Sequence, residues 1–384
     1  MGKILITRYE GGVLTALFEG GRIRQLDWNA EGGTLRCGDI FRAKISNISD
    51  NIQAAFADLG EGKGYFPLRD GYSVKAGDEL TLQIEKEAVK TKLPVLTDRI
   101  SLPGKYLVLL PGGSGLHVSN RLEKDAVLEE LRELLQPFAE TNGLIIRTNA
   151  AGAERHELLR EAECLTARAE SLAVRAEHSV CPALLWRENE PYLTFLREAR
   201  CAETEEILTD EPALFEEIRS WLEANQPEDA AKLRRYDDPQ NSLNALYSLP
   251  VALSKAMEKR VWLKSGGYLV IENTEAMTVI DVNTGKNTGR KNFEETVFQA
   301  NCEAADEIAV QLRLRSISGI IVVDFINMKE EEHKKALTER LAAAVRDDPV
   351  HTAVEGMTRL GLMEMTREKK GVPLAEKLSR KGKA

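Results

Sequence analysis

The chain has 384 residues, of which 43% are hydrophobic and 29% charged, a composition for a soluble protein with core enough for several domains. Its net charge of −9 excludes a protein that coats nucleic acid by bulk basicity, although a local basic groove remains compatible with RNA. No apolar run has the length of a membrane span, and the opening MGKILITRYEGG lacks the apolar stretch of a secretion signal, so the expected compartment is the cytoplasm.

In chain order, residues 3–27 alternate apolar and polar around Gly-Gly turns at 11–12 and 20–21, which predicts a β-meander. Residues 36–98 hold further short strands punctuated by Gly and Asp at the spacing of a small barrel. Between 103 and 148, KYLVLLP and GLIIRT read as strands flanking an amphipathic helix. Residues 153–178 then carry a long helical pattern rich in Ala, Glu, Arg and Leu. LKSGGYLVIENTEAMTVIDVN predicts two strands joined by a turn. In the helix that follows, Val297, Ala300, Ala304, Ile308 and Leu312 mark one apolar face, with Asn292 as its N-cap. The strand GIIVVDF and a charged helix come next. The five cysteines, Cys37, Cys164, Cys181, Cys201 and Cys302, are scattered and form no CxxC pair, which argues against a disulfide framework or a zinc ribbon.

TVIDVN and IVVDFIN repeat one design: a β-branched strand that ends in an aspartate, Asp281 and Asp324. A helix of crossover length separates them. If the two strands share a sheet, both carboxylates emerge at one strand edge, where hard oxygen ligands suit Mg²⁺. A single strand-end Asp more often only opens a turn; it is the matched pair that points to a metal. Asn283 could orient Asp281 or a metal-bound water, and Asn327 follows the second aspartate; either also reads as an ordinary Asn turn. The loop TGKNTGRKN brings Lys286, Arg290 and Lys291 next to the first aspartate, charges that suit a phosphodiester, or simply a solvated loop. Glu303, Asp306 and Glu307 read as the wet face of the helix.

A small barrel with exposed aromatics is an architecture that grips single-stranded RNA. Phe56 in AAFADLG and Phe66 in GYFPL could each stack on a base or pack in a core. Lys90 and Lys92 near the barrel's end could touch the RNA backbone. Arg147 and Thr148 close the strand GLIIRT, and with the backbone N–H groups of PGGSG at 111–115 they could bind a terminal phosphate; a structural Arg is the plainer reading.

These stretches resemble the bacterial ribonuclease E/G endoribonucleases, most of all over MTVIDVNTG and EETVFQANCEAADEIAVQLRLRSISGIIVVDFINM, and also in AAFADLG, GYFPL, GKYLVLLP, GLIIRT, LKSGGYLVIENTEA and RLGLMEMTR. The resemblance implies an α+β multidomain chain. Its parts are a split RNase-H-like domain at 1–35 and 193–256, an OB-fold RNA-binding barrel at 36–98, a 5′-end sensor at 99–192 and a deoxyribonuclease-I-like catalytic domain at 257–384. It implies Mg²⁺, or Mn²⁺ in its place, on Asp281 and Asp324, with Asn283 as the supporting Asn. It also implies RNA contacts at Phe56, Phe66 and Lys92, and 5′-monophosphate contacts at Arg147 and Thr148. The family's CPxC zinc link has no counterpart here, so no zinc is expected and any homo-oligomer is expected to form without it. INM stands where the family has IDM, and PGGSG departs from its sensor loop.

The expected function is cleavage of single-stranded RNA to 5′-phosphate and 3′-hydroxyl ends, in rRNA processing and mRNA decay, with preference for 5′-monophosphorylated RNA. The alternatives are a non-catalytic RNA-binding protein of the same fold and a metal-dependent phosphoesterase of small molecules. The intact aspartate pair speaks against the first, the barrel against the second.

Overall fold

The computed structural model describes residues 2–32, 35–69, 71, 73–88, 92–119, 122, 126–199, 204–285, 293–346, 348–369 and 371–379. The fold is mixed α+β and divides into two compact units. One takes 1–31, 203–219 and 231–384; the other takes 32–202 and 220–230.

The first unit contains two sheets. In one, the strands run in the order Leu233–Arg235, Thr204–Thr209, Gly2–Tyr9, Gly12–Glu19, Arg22–Ala30. The last three form the expected meander. Its two-residue turns place Glu10 and Gly11 at φ 48° and 76°, and Gly20 and Gly21 at 57° and 78°. Positive φ at both central residues matches the twist of a hairpin, which is why Gly recurs there. Leu5, Leu14, Leu26 and Trp28 pack from this sheet against Leu243, Leu249, Leu253 and Leu374.

The second sheet has the order Arg260–Trp262, Tyr268–Asn273, Met277–Asn283, Gly319–Asp324, Leu362–Arg367, Thr352–Met357. Its two central strands, Met277–Asn283 and Gly319–Asp324, are parallel. A parallel pair needs a crossover, and the helix Phe293–Leu314 supplies it. One face of the sheet is apolar because the strands alternate: Ile280, Val282, Ile321 and Val323 point to Val297, Ala304, Ile308 and Leu312 of that helix. Full burial of each of these Val, Ile and Leu side chains is worth about 1.5–3 kcal/mol. Ala300 is only partly buried, and Asn292 lies outside the described residues. A second helix, Glu331–Val345, adds Leu337 and Leu341 to the same core.

In the second unit, five strands close into a barrel in the order Ile40–Ser49, Ala54–Asp58, Lys63–Pro67, Val95–Thr97, Glu79–Lys86, with the last pairing back to the first. This closed five-stranded barrel is consistent with an OB-fold. Its interior is filled by Phe41, Ala43, Ile45, Ala55, Ala57, Phe66, Leu82, Ile84 and Leu96. The neighbouring four-stranded sheet has the order Leu116–Val118, Gly143–Ile146, Leu107–Leu110, Leu102–Pro103. It packs Leu107, Leu109, Leu144 and Ile146 against Leu158, Ala162 and Leu165 of the helix Arg155–His178.

Candidate active site

Asp281 and Asp324 are direct register partners across the parallel strand pair. Neighbouring strands lie about 4.8 Å apart, and partners in register point to the same face. Both aspartates are exposed while Ile280, Val282, Val323 and Phe325 beside them are buried, so both carboxylates stand on the face opposite the helices. Asn283 Nδ2 donates to Asp281 Oδ2 at 2.7 Å, which restrains the carboxylate's rotamer.

The loop after Asp324 is clamped from the crossover helix. Asn301 is fully buried; its Nδ2 donates to the Ile326 carbonyl at 2.8 Å and its Oδ1 accepts from the Ile326 N–H at 3.0 Å. Glu294 Oε1 accepts from the N–H groups of Lys329 at 2.7 Å and Glu330 at 3.2 Å. The Lys329 bond is the main reason the Glu294 carboxyl is held below its usual range. Sequence reading missed both. The signal for Asn301 was available: Val297, Asn301, Ala304 and Ile308 share one helical face, and a polar side chain buried there requires a partner.

The other polar groups sort plainly. Asn327 is exposed in the same loop, and Lys286, Arg290 and Lys291 lie outside the described residues. Glu303, Asp306 and Glu307 are not an idle wet face. Glu303 accepts from Lys264 N at 2.6 Å, Asp306 pairs with Arg340 at 2.6 Å, and Glu307 pairs with Arg22 at 2.6 Å. No third His, Cys, Asp or Glu converges with the two aspartates among the described residues. Two carboxylates are a fitting donor set for Mg²⁺, which keeps several waters.

The barrel corrects one expectation. Phe66 is 2% exposed and belongs to the barrel core, so its ring offers no face to a base. Neighbours in a strand point to opposite sides, and the outward residue is Tyr65. Tyr65 is the register partner of Phe56, and their rings meet edge to face at 6.1 Å, both partly exposed. The outer aromatic pair is therefore Phe56 and Tyr65. Lys92 is exposed just ahead of Pro94, whose carbonyl accepts from Tyr65 N at 2.8 Å. Lys90 lies outside the described residues.

Arg147 and the PGGSG segment are not brought together. In the strand pair, Leu107 faces Ile146 and Leu110 faces Gly143. The glycine loop after Leu110 thus lies at the opposite end of the pair from Arg147. Arg147 sits instead over the turn at Gly104, whose carbonyl accepts from Nη1 at 2.5 Å, with Glu198 3.9 Å from Nη2. Burial is the largest influence on this guanidinium and lowers its pKa, with Glu198 opposing. Thr148 Oγ1 is 3.4 Å from Ser119 Oγ.

The family model for the Ribonuclease E/G family matches residues 101–370. Ribonuclease G of Escherichia coli is 34% identical over 390 residues, covering 96% of this chain and 80% of that protein. Ribonuclease G of Haemophilus influenzae is 34% identical over 377 residues, covering 92% and 77%. Ribonuclease E of Nostoc is 34% identical over 384 residues, covering 94% of this chain and 55% of the longer relative. With matches of this extent across the residues that carry both the aspartate pair and its clamp, the chain belongs to the Ribonuclease E/G family.

Proposed function

We propose that the chain is an Mg²⁺-dependent endoribonuclease of RNA processing that cuts single-stranded RNA to 5′-phosphate and 3′-hydroxyl ends. One observation carries the reading: two strand-end carboxylates in register, on the open face of a sheet, in a chain of this family. Asp281 and Asp324 hold the metal and Asn283 orients Asp281. Bound there, Mg²⁺ supplies a Lewis acid for the phosphoryl oxygens and a water of lowered pKa. Asn301 and Glu294 keep the segment after Asp324 from drifting.

The remaining assignments follow the family. The meander with its two parallel additions is the split RNase-H-like part, at 1–35 and 193–256. The barrel at 36–98 binds RNA through Phe56, Tyr65 and Lys92. The sheet at 99–192 senses the 5′ end, and 257–384 is the deoxyribonuclease-I-like catalytic part. At the sensor, Arg147 would exchange its bond to the Gly104 carbonyl for a terminal phosphate, with the hydroxyl of Thr148 beside it. No helix among the described residues is long and apolar enough to cross a membrane, and we place the enzyme in the cytoplasm.

The test is incubation of the chain with single-stranded RNA bearing a 5′-monophosphate, with and without Mg²⁺. The expected result is internal cleavage that EDTA abolishes, with fragments that carry 5′-phosphates. Binding without cleavage at any Mg²⁺ concentration would leave a non-catalytic RNA-binding protein instead.

A further inference from the structure

At the far end of the catalytic sheet from the aspartates lies a cleft of about 400 Å³, within the size range of small-molecule sites. Asn273 pairs with Thr278 at that end of the hairpin, while Asp281 pairs with Val270. Asn273 thus stands three residues of strand, roughly 10 Å, from the level of the first carboxylate, on the exposed edge of the cleft. Its floor is Arg315, at the close of the crossover helix and 8% exposed.

Arg315 is an unusual buried charge. Among the described residues its one side-chain hydrogen bond runs from Nε to Gln311 Oε1 at 2.7 Å. Neither η nitrogen has a partner among the described residues, and Nη2 is sealed from solvent. A buried cation without a carboxylate is costly, so a guanidinium kept this way calls for an anion. Glu258 and Glu307 act on it only from beyond ion-pair distance, and Glu307 is engaged by Arg22 at 2.6 Å. Desolvation pulls the Arg315 pKa down to about 10, so the group remains charged at neutral pH.

The rest of the cleft defines the ligand. Lys259 is a second cation on the rim, and its pairing with Glu272 at 3.0 Å neutralises the one carboxylate there. Asn273 uses its Oδ1 as acceptor for Thr278 Oγ1 at 2.8 Å, and its amide N–H groups remain on the exposed rim. Met257, Ile271 and Pro373 form an apolar wall. Arg315, the cation left without a carboxylate, the Lys259–Glu272 pair and a donor beside an apolar wall suit an anionic head on a small organic body. We propose that this cleft binds a small phosphate ester of mononucleotide size, its phosphoryl oxygens on Arg315 and Lys259 and its organic part against Met257 and Pro373.

The experiment is calorimetric titration of the full chain in EDTA, which keeps any divalent ion off the aspartates. Inorganic phosphate, ribose 5-phosphate and adenosine 5′-monophosphate are the probes, against wild type, Arg315→Met and Ala375→Trp. The tryptophan fills the cleft from its exposed wall with the Arg315 side chain itself unchanged, and so covers the case in which Arg315→Met fails to fold. Wild type should bind at least one ester saturably and more tightly than inorganic phosphate, and each folded variant should lose at least tenfold in affinity. Tightest binding of the nucleotide would assign the wall to a base, and equal binding of both esters would assign it to the sugar. The proposal is overturned if wild type binds neither ester, if inorganic phosphate binds as tightly as both, or if either folded variant keeps wild-type affinity.

Discussion

The strand Gly319–Asp324 ends in two opposite treatments of the carboxylate. At its C-terminal end, Asp324 and its partner Asp281 stand exposed, and among the described residues the one side chain bonded to them is the neutral Asn283. Beside its N-terminal end, Asp348 is buried against Arg367, the register partner of Gly319. Nε meets Oδ2 at 2.8 Å and Nη2 meets Oδ1 at 2.9 Å, while Arg367 Nη1 donates to the Ile317 carbonyl at 2.7 Å. A charge matched inside the protein holds the fold together. A pair of like charges left open to water at one strand edge adds no such match, and our reading gives it a metal to bind.

Breaking the open end should give the largest functional effect. Asp281→Asn or Asp324→Asn replaces a hard ligand by a poor one, and cleavage should fall by about two orders of magnitude or more. Thermal unfolding should hardly move, since neither carboxylate is buried. Near wild-type cleavage by either variant at limiting Mg²⁺ would remove the aspartates from the site. Breaking the closed end should do the reverse. Asp348→Ala strands a buried guanidinium and should cost about 3–5 kcal/mol in denaturant unfolding, with activity per folded molecule retained.

The barrel sharpens the same contrast with neutral side chains. Phe66→Ala should cost about 3–5 kcal/mol of stability, as for a core ring. Phe56→Ala and Tyr65→Ala should leave stability nearly intact and weaken single-stranded RNA binding by about 1–3 kcal/mol. If Phe66→Ala left folding untouched and lowered RNA affinity alone, the barrel's inside and outside have been exchanged. The smallest effect belongs to the 5′ end. Arg147→Leu should remove a preference of about tenfold for 5′-monophosphate over 5′-hydroxyl RNA, the worth of one charge-assisted bond, and spare cleavage of the 5′-hydroxyl substrate. Equal rates for the wild type on both ends would show that Arg147 serves the Gly104 turn alone.

Period and punctuation made much of this legible in the sequence. Two β-branched runs, each closed by Asp and separated by a crossover-length helix, were enough to bring Asp281 and Asp324 to one edge. Phe66 was left between a core and a stacking role because an aromatic carries no label for its side of the strand. The hairpin register, which pairs Phe56 with Tyr65, decides that. The link between Arg147 and PGGSG failed because nearness in sequence says little about the two ends of one strand pair. Asn301 and Arg315 escaped because they sit on and just past a helix whose apolar positions drew the attention, and a buried polar group declares itself only through its partners.

The parallel pairing of Met277–Asn283 with Gly319–Asp324 also governs when a site can exist during folding. Antiparallel neighbours can meet through a two-residue turn, but these two strands meet only after the whole helix Phe293–Leu314 has been laid back across the sheet. Non-local closures of this kind come late in folding. The two carboxylates are therefore a property of the closed crossover and of neither strand by itself. A nascent chain that has formed every helix but not that closure carries both acids without their pairing at one edge.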